Sequence, residues 1–145
     1  MKDLRNKELT LIVTGKMTAE LEDKLAEVLQ MFLDRDKDKY NFIGAESDDK
    51  EYSILSLESH KIDKLQSLMQ NFEIPYTLKN VTQQVLIGDF DEDIKLVYED
   101  SEYNKIFIHD FQKDNLTIDD ILDKINKFGS QSLTDLDKQI LSQNF

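Results

Sequence analysis

The chain has 145 residues, 39% of them apolar, and a formal net charge of −12 from 30 acids against 18 lysines and arginines. It can bury a core of ordinary size without staples, and with no cysteine it has no thiol nucleophile, thiolate metal site or disulfide, a usage that suits a reducing cytoplasm. A surface this negative repels phosphate backbones, so direct nucleic-acid binding is not expected, and no run approaches the ~20 apolar residues of a membrane helix.

The apolar run from Leu9 to Val13 is interrupted at Thr10 and is too short for a signal-peptide core. Glu8 to Gly15 instead predicts a buried first strand, rich in β-formers and closed by glycine. Thr18 is placed to cap a helix whose apolar positions Leu21, Leu25, Val28, Leu29 and Phe32 recur at three and four residues. "YNFIGAES" and "EYSILSLES", separated by "DDK", predict a hairpin. Ser59 is expected to cap a second helix with Ile62, Leu65, Leu68, Met69 and Phe72 on one face, ended before Pro75. "YTLKNVTQQVLIG" predicts a returning strand. The order β-α-β-β-α-β is the ferredoxin-like pattern of an antiparallel sheet with two helices on one face, an α+β fold. It assigns residues 1–90 to a ferredoxin-like sandwich.

Residues 91–145 read as an appendage on the same core. "IKLVYED" and "KIFIHDF" flank the polar turn "SEYN" and predict a second β-hairpin. Thr117 with Asp120 forms a capping box for a helix expected to bury Ile118, Ile121, Leu122, Ile125 and Phe128 before Gly129. Thr134 with Asp137 repeats the box for a last helix carrying Leu136, Ile140 and Leu141.

The stretch Ile121 to Leu141 resembles a short helical tail found at the C-termini of otherwise unrelated bacterial proteins, including rhomboid-type membrane proteins of the Bacteroidetes. The residues that carry the likeness are Lys127, Gly129, Ser132, Leu133, Thr134, Asp137, Lys138 and Leu141. The resemblance implies a small packing or docking element of that bacterial lineage and brings no catalytic residue.

Two alternating aspartate sets suggest metal chemistry. Asp34, Asp36 and Asp38 open like an EF-hand loop, but the glycine position is Lys39, the apolar position is Asn41 and the bidentate glutamate position is Ala45. Calcium binding is therefore not expected there. Asp89 and Asp91, after the apolar "QQVLI", match the opening of magnesium-dependent phosphotransfer sites, in which a strand end aims two carboxylates at one ion. The residue two beyond is Asp93, where the haloacid-dehalogenase-like pattern has threonine or valine, so a magnesium-dependent enzyme using Asp89 and Asp91 is the third reading and a charged turn is the plainer one. His60 and His109 have no sequence neighbours that make them ligands or general bases. Gly15-Lys16 lacks the rest of a phosphate-binding loop, and no motif calls for a cofactor.

The expected function is a non-enzymatic interaction or regulatory protein of the bacterial cytoplasm. Its recognition surface would be Asp89, Asp91, Glu92, Asp93, Tyr98, Glu99, Asp100, Glu102 and Tyr103: between Asp89 and Tyr103 seven acids against the single base Lys95 leave six net negative charges in 15 residues. A basic protein is the partner that such a hairpin attracts, with a second copy of the chain as the other arrangement. The second reading is a small-ligand regulatory domain similar to ACT domains, which share the β-α-β-β-α-β order and bind amino acids near the first strand-to-helix turn, here Thr14 to Thr18.

Overall fold

In the computed structural model, which describes residues 7–32 and 41–143, the first strand β1 (Lys7–Gly15) is covered on both faces. That is why "LTLIV" carries no polar alternation beyond Thr10. The sheet adds β2 (Phe42–Glu46), β3 (Lys50–Glu58) and β4 (Thr77–Asn80) in the order β2-β3-β1-β4, with every neighbouring pair antiparallel. The residues of the EF-hand-like opening, Asp34, Asp36 and Asp38, lie outside those described.

Side-chain alternation divides the sheet between two cores. Ile12, Leu55 and Leu57 pack with Val28 of α1 (Ala19–Met31) and with Leu65 and Met69 of α2 (Ile62–Asn71). Thr18 caps α1 as its sequence predicts, accepting from the Leu21 N–H at 3.3 Å. Ser59 does not cap α2. It opens a 3₁₀ turn, Ser59–Lys61, which feeds α2 without a side-chain cap.

The opposite face corrects the sequence reading. Leu9, Leu11, Ile43 and Ile54 are covered by α3 (Thr82–Ile87), α4 (Glu92–Glu99) and α5 (Glu102–Asn115), through Val85, Leu86, Ile94, Val97, Ile108 and Phe111. The expected strand through Gly88 stops at Asn80, whose Oδ1 accepts from the Thr82 N–H at 2.9 Å and from its hydroxyl at 2.6 Å, turning the chain. Thr82 Oγ1 in turn accepts from the Leu9 N–H at 2.9 Å, fixing the new helix to β1. The expected second hairpin is a helical pair, α4 and α5. Gly88, at φ 77°, ends α3 in the left-handed region. Asp91 then caps α4 and Ser101 caps α5, accepting from Ile94 and Asn104 at 2.9 and 3.1 Å. Isoleucine, valine and tyrosine favour strands locally, but three-and-four spacing of Ile94 with Val97 and of Asn104, Ile108 and Phe111 lets each helix bury one stripe on the sheet.

The tail is helical as expected, with α6 (Ile118–Phe128) and α7 (Asp135–Gln143). Both capping boxes form: Thr117 exchanges bonds with Asp120 and Thr134 with Asp137. The buried face differs from the expected apolar one. Of that set only Ile121 is fully buried, Leu122 and Phe128 are 47% and 39% exposed, and the interior positions are Asp120, Lys124 and Asp137. Lys124 Nζ donates to Asp137 Oδ2 at 2.7 Å, so a buried ion pair joins the two helices. Phe128→Ala should then lower stability by no more than ~1 kcal/mol, against the ~3–5 kcal/mol of a buried ring. A urea titration that found the larger loss would place the ring in the core. Among the described residues no helix is long and apolar enough to cross a membrane.

Candidate functional site

The acidic segment is organised by helix ends. Asp91, Glu92 and Asp93 occupy the cap and first turn of α4, and Glu102 the first turn of α5. Carboxylates are stabilised there by the unpaired N–H groups and the macrodipole, so these four acids contribute to the fold. Glu99 is different. It lies in the last turn of α4, where a negative charge opposes the dipole, and Asp100 follows it at the exposed α4–α5 turn.

The two aspartates of the suggested metal pair are each engaged with a lysine. Asp91 Oδ2 accepts from Lys79 Nζ at 3.0 Å, and Asp89 Oδ2 accepts from Lys127 Nζ on α6. Burial pushes the Asp91 carboxyl up, but the Ile94 N–H, Lys79 and Gln84 together hold it below the ordinary carboxylate range. Its contribution to stability is therefore present above the unfolded value and lost as pH falls through the lower folded one. The strand on which the magnesium reading depended is the helix α3, and no group of three or more carboxylate or imidazole side chains among the described residues is arranged to hold a metal ion.

The two tyrosines divide as well. Tyr98 is half-buried, its ring 5.1 Å from that of Phe90 and its hydroxyl 2.8 Å from His109 Nε2 on α5. It ties α4 to α5. Tyr103 is 49% exposed, and with it stand two residues that the hairpin reading placed in a sheet: Leu96 at 36% and Ile106 at 57%. Leu96 is on the side of α4 away from Ile94 and Val97, and Ile106 on the side of α5 away from Asn104 and Ile108. Strand periodicity hid both, because only the helical repeat puts them opposite the buried stripe.

No known family model, curated protein or solved structure matches the chain.

The likeness of the C-terminal stretch to a bacterial tail therefore rests on its residues. The remaining sequence candidates are scattered: His60 is exposed beside Glu58 at 3.6 Å, on the far side of the sheet end that carries the Thr14–Thr18 turn. A recess of about 310 Å³ lies at that far end, bounded by Lys7, Phe32, Asn41, Glu58 and Lys61 among others.

Proposed function

We propose that the protein is a non-enzymatic interaction or regulatory protein that binds a basic protein partner through the outer surfaces of α4 and α5. The observation that carries this reading is the presence of exposed Leu96, Tyr103 and Ile106 on helices whose other outward positions include Glu92, Glu99 and Glu102, with exposed Asp100 in the turn between them. Interfaces of this composition use the apolar side chains to slow dissociation, while the charges accelerate encounter and select the partner. Glu99 and Ile106 are the informative residues, since neither is explained by capping or by core packing. The absence of cysteine supports a reducing compartment such as the bacterial cytoplasm.

Charge reversal at Glu92, Asp93 or Glu102 would also remove favourable helix-end charges, so the test uses Glu99→Lys, Asp100→Lys and Ile106→Ala together. Affinity capture from cell extract at low salt should retain a basic protein on the wild-type chain and lose it on the triple variant, and the difference should shrink at high salt. Equal capture by a variant with an unchanged melting temperature would refute this interface.

The strand order β2-β3-β1-β4, with α1 and α2 on one face, favours a second reading: a ferredoxin-like unit serving as a small-ligand regulatory domain similar to ACT domains. A change of oligomeric state on adding amino acids, followed by light scattering, would support it over the first.

A further inference from the structure

At the Gly15 end of the sheet the face beneath α1 changes from apolar to polar. Thr14 lies on the same side of β1 as Ile12, which belongs to the core under α1 and α2. Glu51 of β3 stands directly opposite Thr14, and Glu46 of β2 directly opposite Glu51. Thr14 is 4% exposed and its hydroxyl has no hydrogen-bond partner, and Glu51 Oε2 is buried in the same condition. Thr10, further along this face, is also unpartnered, but its cross-strand neighbours are Leu55 and Asn80. Among the described residues, only at Thr14 does an unsatisfied hydroxyl stand opposite an unsatisfied carboxylate oxygen.

The surrounding charge is unbalanced in one direction. Lys16 is bonded to Glu46 at 3.0 Å, and Glu22, from the first turn of α1, acts repulsively on Glu51. Three carboxylates therefore share one lysine. Burial raises the Glu51 carboxyl above its ordinary range, Glu22 and Glu46 push it the same way, and Lys16 opposes them. The Lys16 and Glu46 side chains are 45% and 67% exposed, so the cluster borders solvent on their side.

We propose that Thr14, Glu22, Glu46 and Glu51 form a binding site for the ammonium group of a small primary amine. An alkylammonium is a compact cation with three N–H donors. It can donate to Glu51 Oε2 and Thr14 Oγ1 together, and its charge offsets the carboxylate excess that Lys16 leaves. A cation without N–H donors satisfies the charge but neither acceptor. The site is independent of the acidic helices; it falls beside the Thr14–Thr18 turn, but rests on these side chains and not on the strand order.

The test is a titration of the full chain with methylammonium chloride, followed by amide chemical shifts, with tetramethylammonium chloride at equal ionic strength as the comparison. Methylammonium should shift the amides of Thr14 to Thr18 and Lys50 to Tyr52 saturably and raise the melting temperature, while tetramethylammonium should do neither. Glu51→Gln, which keeps the shape and removes the charge, should weaken binding by roughly tenfold or more. Glu22→Gln, on the exposed first turn of α1, should weaken it also and serves if the Glu51 variant does not fold. The proposal is overturned if methylammonium gives no saturable shift, if the two cations act alike, or if both glutamine variants bind as the wild type does.

Discussion

Lys124→Met is expected to cost about 3–5 kcal/mol, because it leaves a buried carboxylate without its ammonium partner. Asp137 is 2% exposed, and its Oδ2 accepts from Lys124 at 2.7 Å and from the Thr134 N–H at 2.9 Å. Removing the lysine leaves one backbone donor to solvate a charge that water no longer reaches. The double variant Lys124→Met, Asp137→Asn removes both charges and keeps an amide oxygen to accept from Thr134, so it should recover most of the loss. The reading must separate global from local stability. Leu136, Ile140 and Leu141 of α7 are only half-buried, so its release can absorb the penalty before the sheet unfolds. Amide exchange in α7 should accelerate sharply in the single variant even if the urea midpoint moves little. Unchanged exchange and an unchanged midpoint would mean that the two helices are not closed by this pair.

Asn104→Ala should cost roughly 1–3 kcal/mol through a different mechanism, since it removes both hydrogen bonds that one buried amide makes to backbone carbonyls. Asn104 is 4% exposed, and its Nδ2 donates to the Val97 carbonyl at 2.8 Å and to the Gly44 carbonyl at 3.0 Å. One amide thus joins the last turn of α4, the start of α5 and the edge strand β2. Its loss should loosen the outward surface carrying Leu96, Tyr103 and Ile106 as well as lower the urea midpoint. Asn104→Asp, which keeps the shape but offers the two carbonyls no amide donor, should be at least as damaging at neutral pH. A loss below 0.5 kcal/mol, on the order of an ordinary surface substitution, would mean that these bonds do not hold the pair on the sheet.

The protein's first half was legible because its signals were local and strong. Leu9 to Val13 has the β-formers of a covered strand, Thr18 begins an amphipathic helix, and "DDK" separates two alternating runs; all of these took the expected form. The tail's capping boxes were legible for the same reason, each being a bond between residues three apart. Residues from Val81 to Phe111 were not. "VTQQVLI", "IKLVYE" and "KIFIHDF" have apolar residues at spacings that fit a strand or a short helix, and their β-forming composition favours the strand. The outcome was decided by the second face of the sheet: Leu9, Leu11, Ile43 and Ile54 needed cover, and helices bury a stripe against it without requiring another strand's backbone partners. The charged residues follow the same division. Composition alone determined that the chain is acidic, cysteine-free and large enough for a core. Only tertiary structure decided which acids are held by Lys79 and Lys127, and that Glu51 meets Thr14 across a strand boundary, because those pairings join residues that the chain keeps apart.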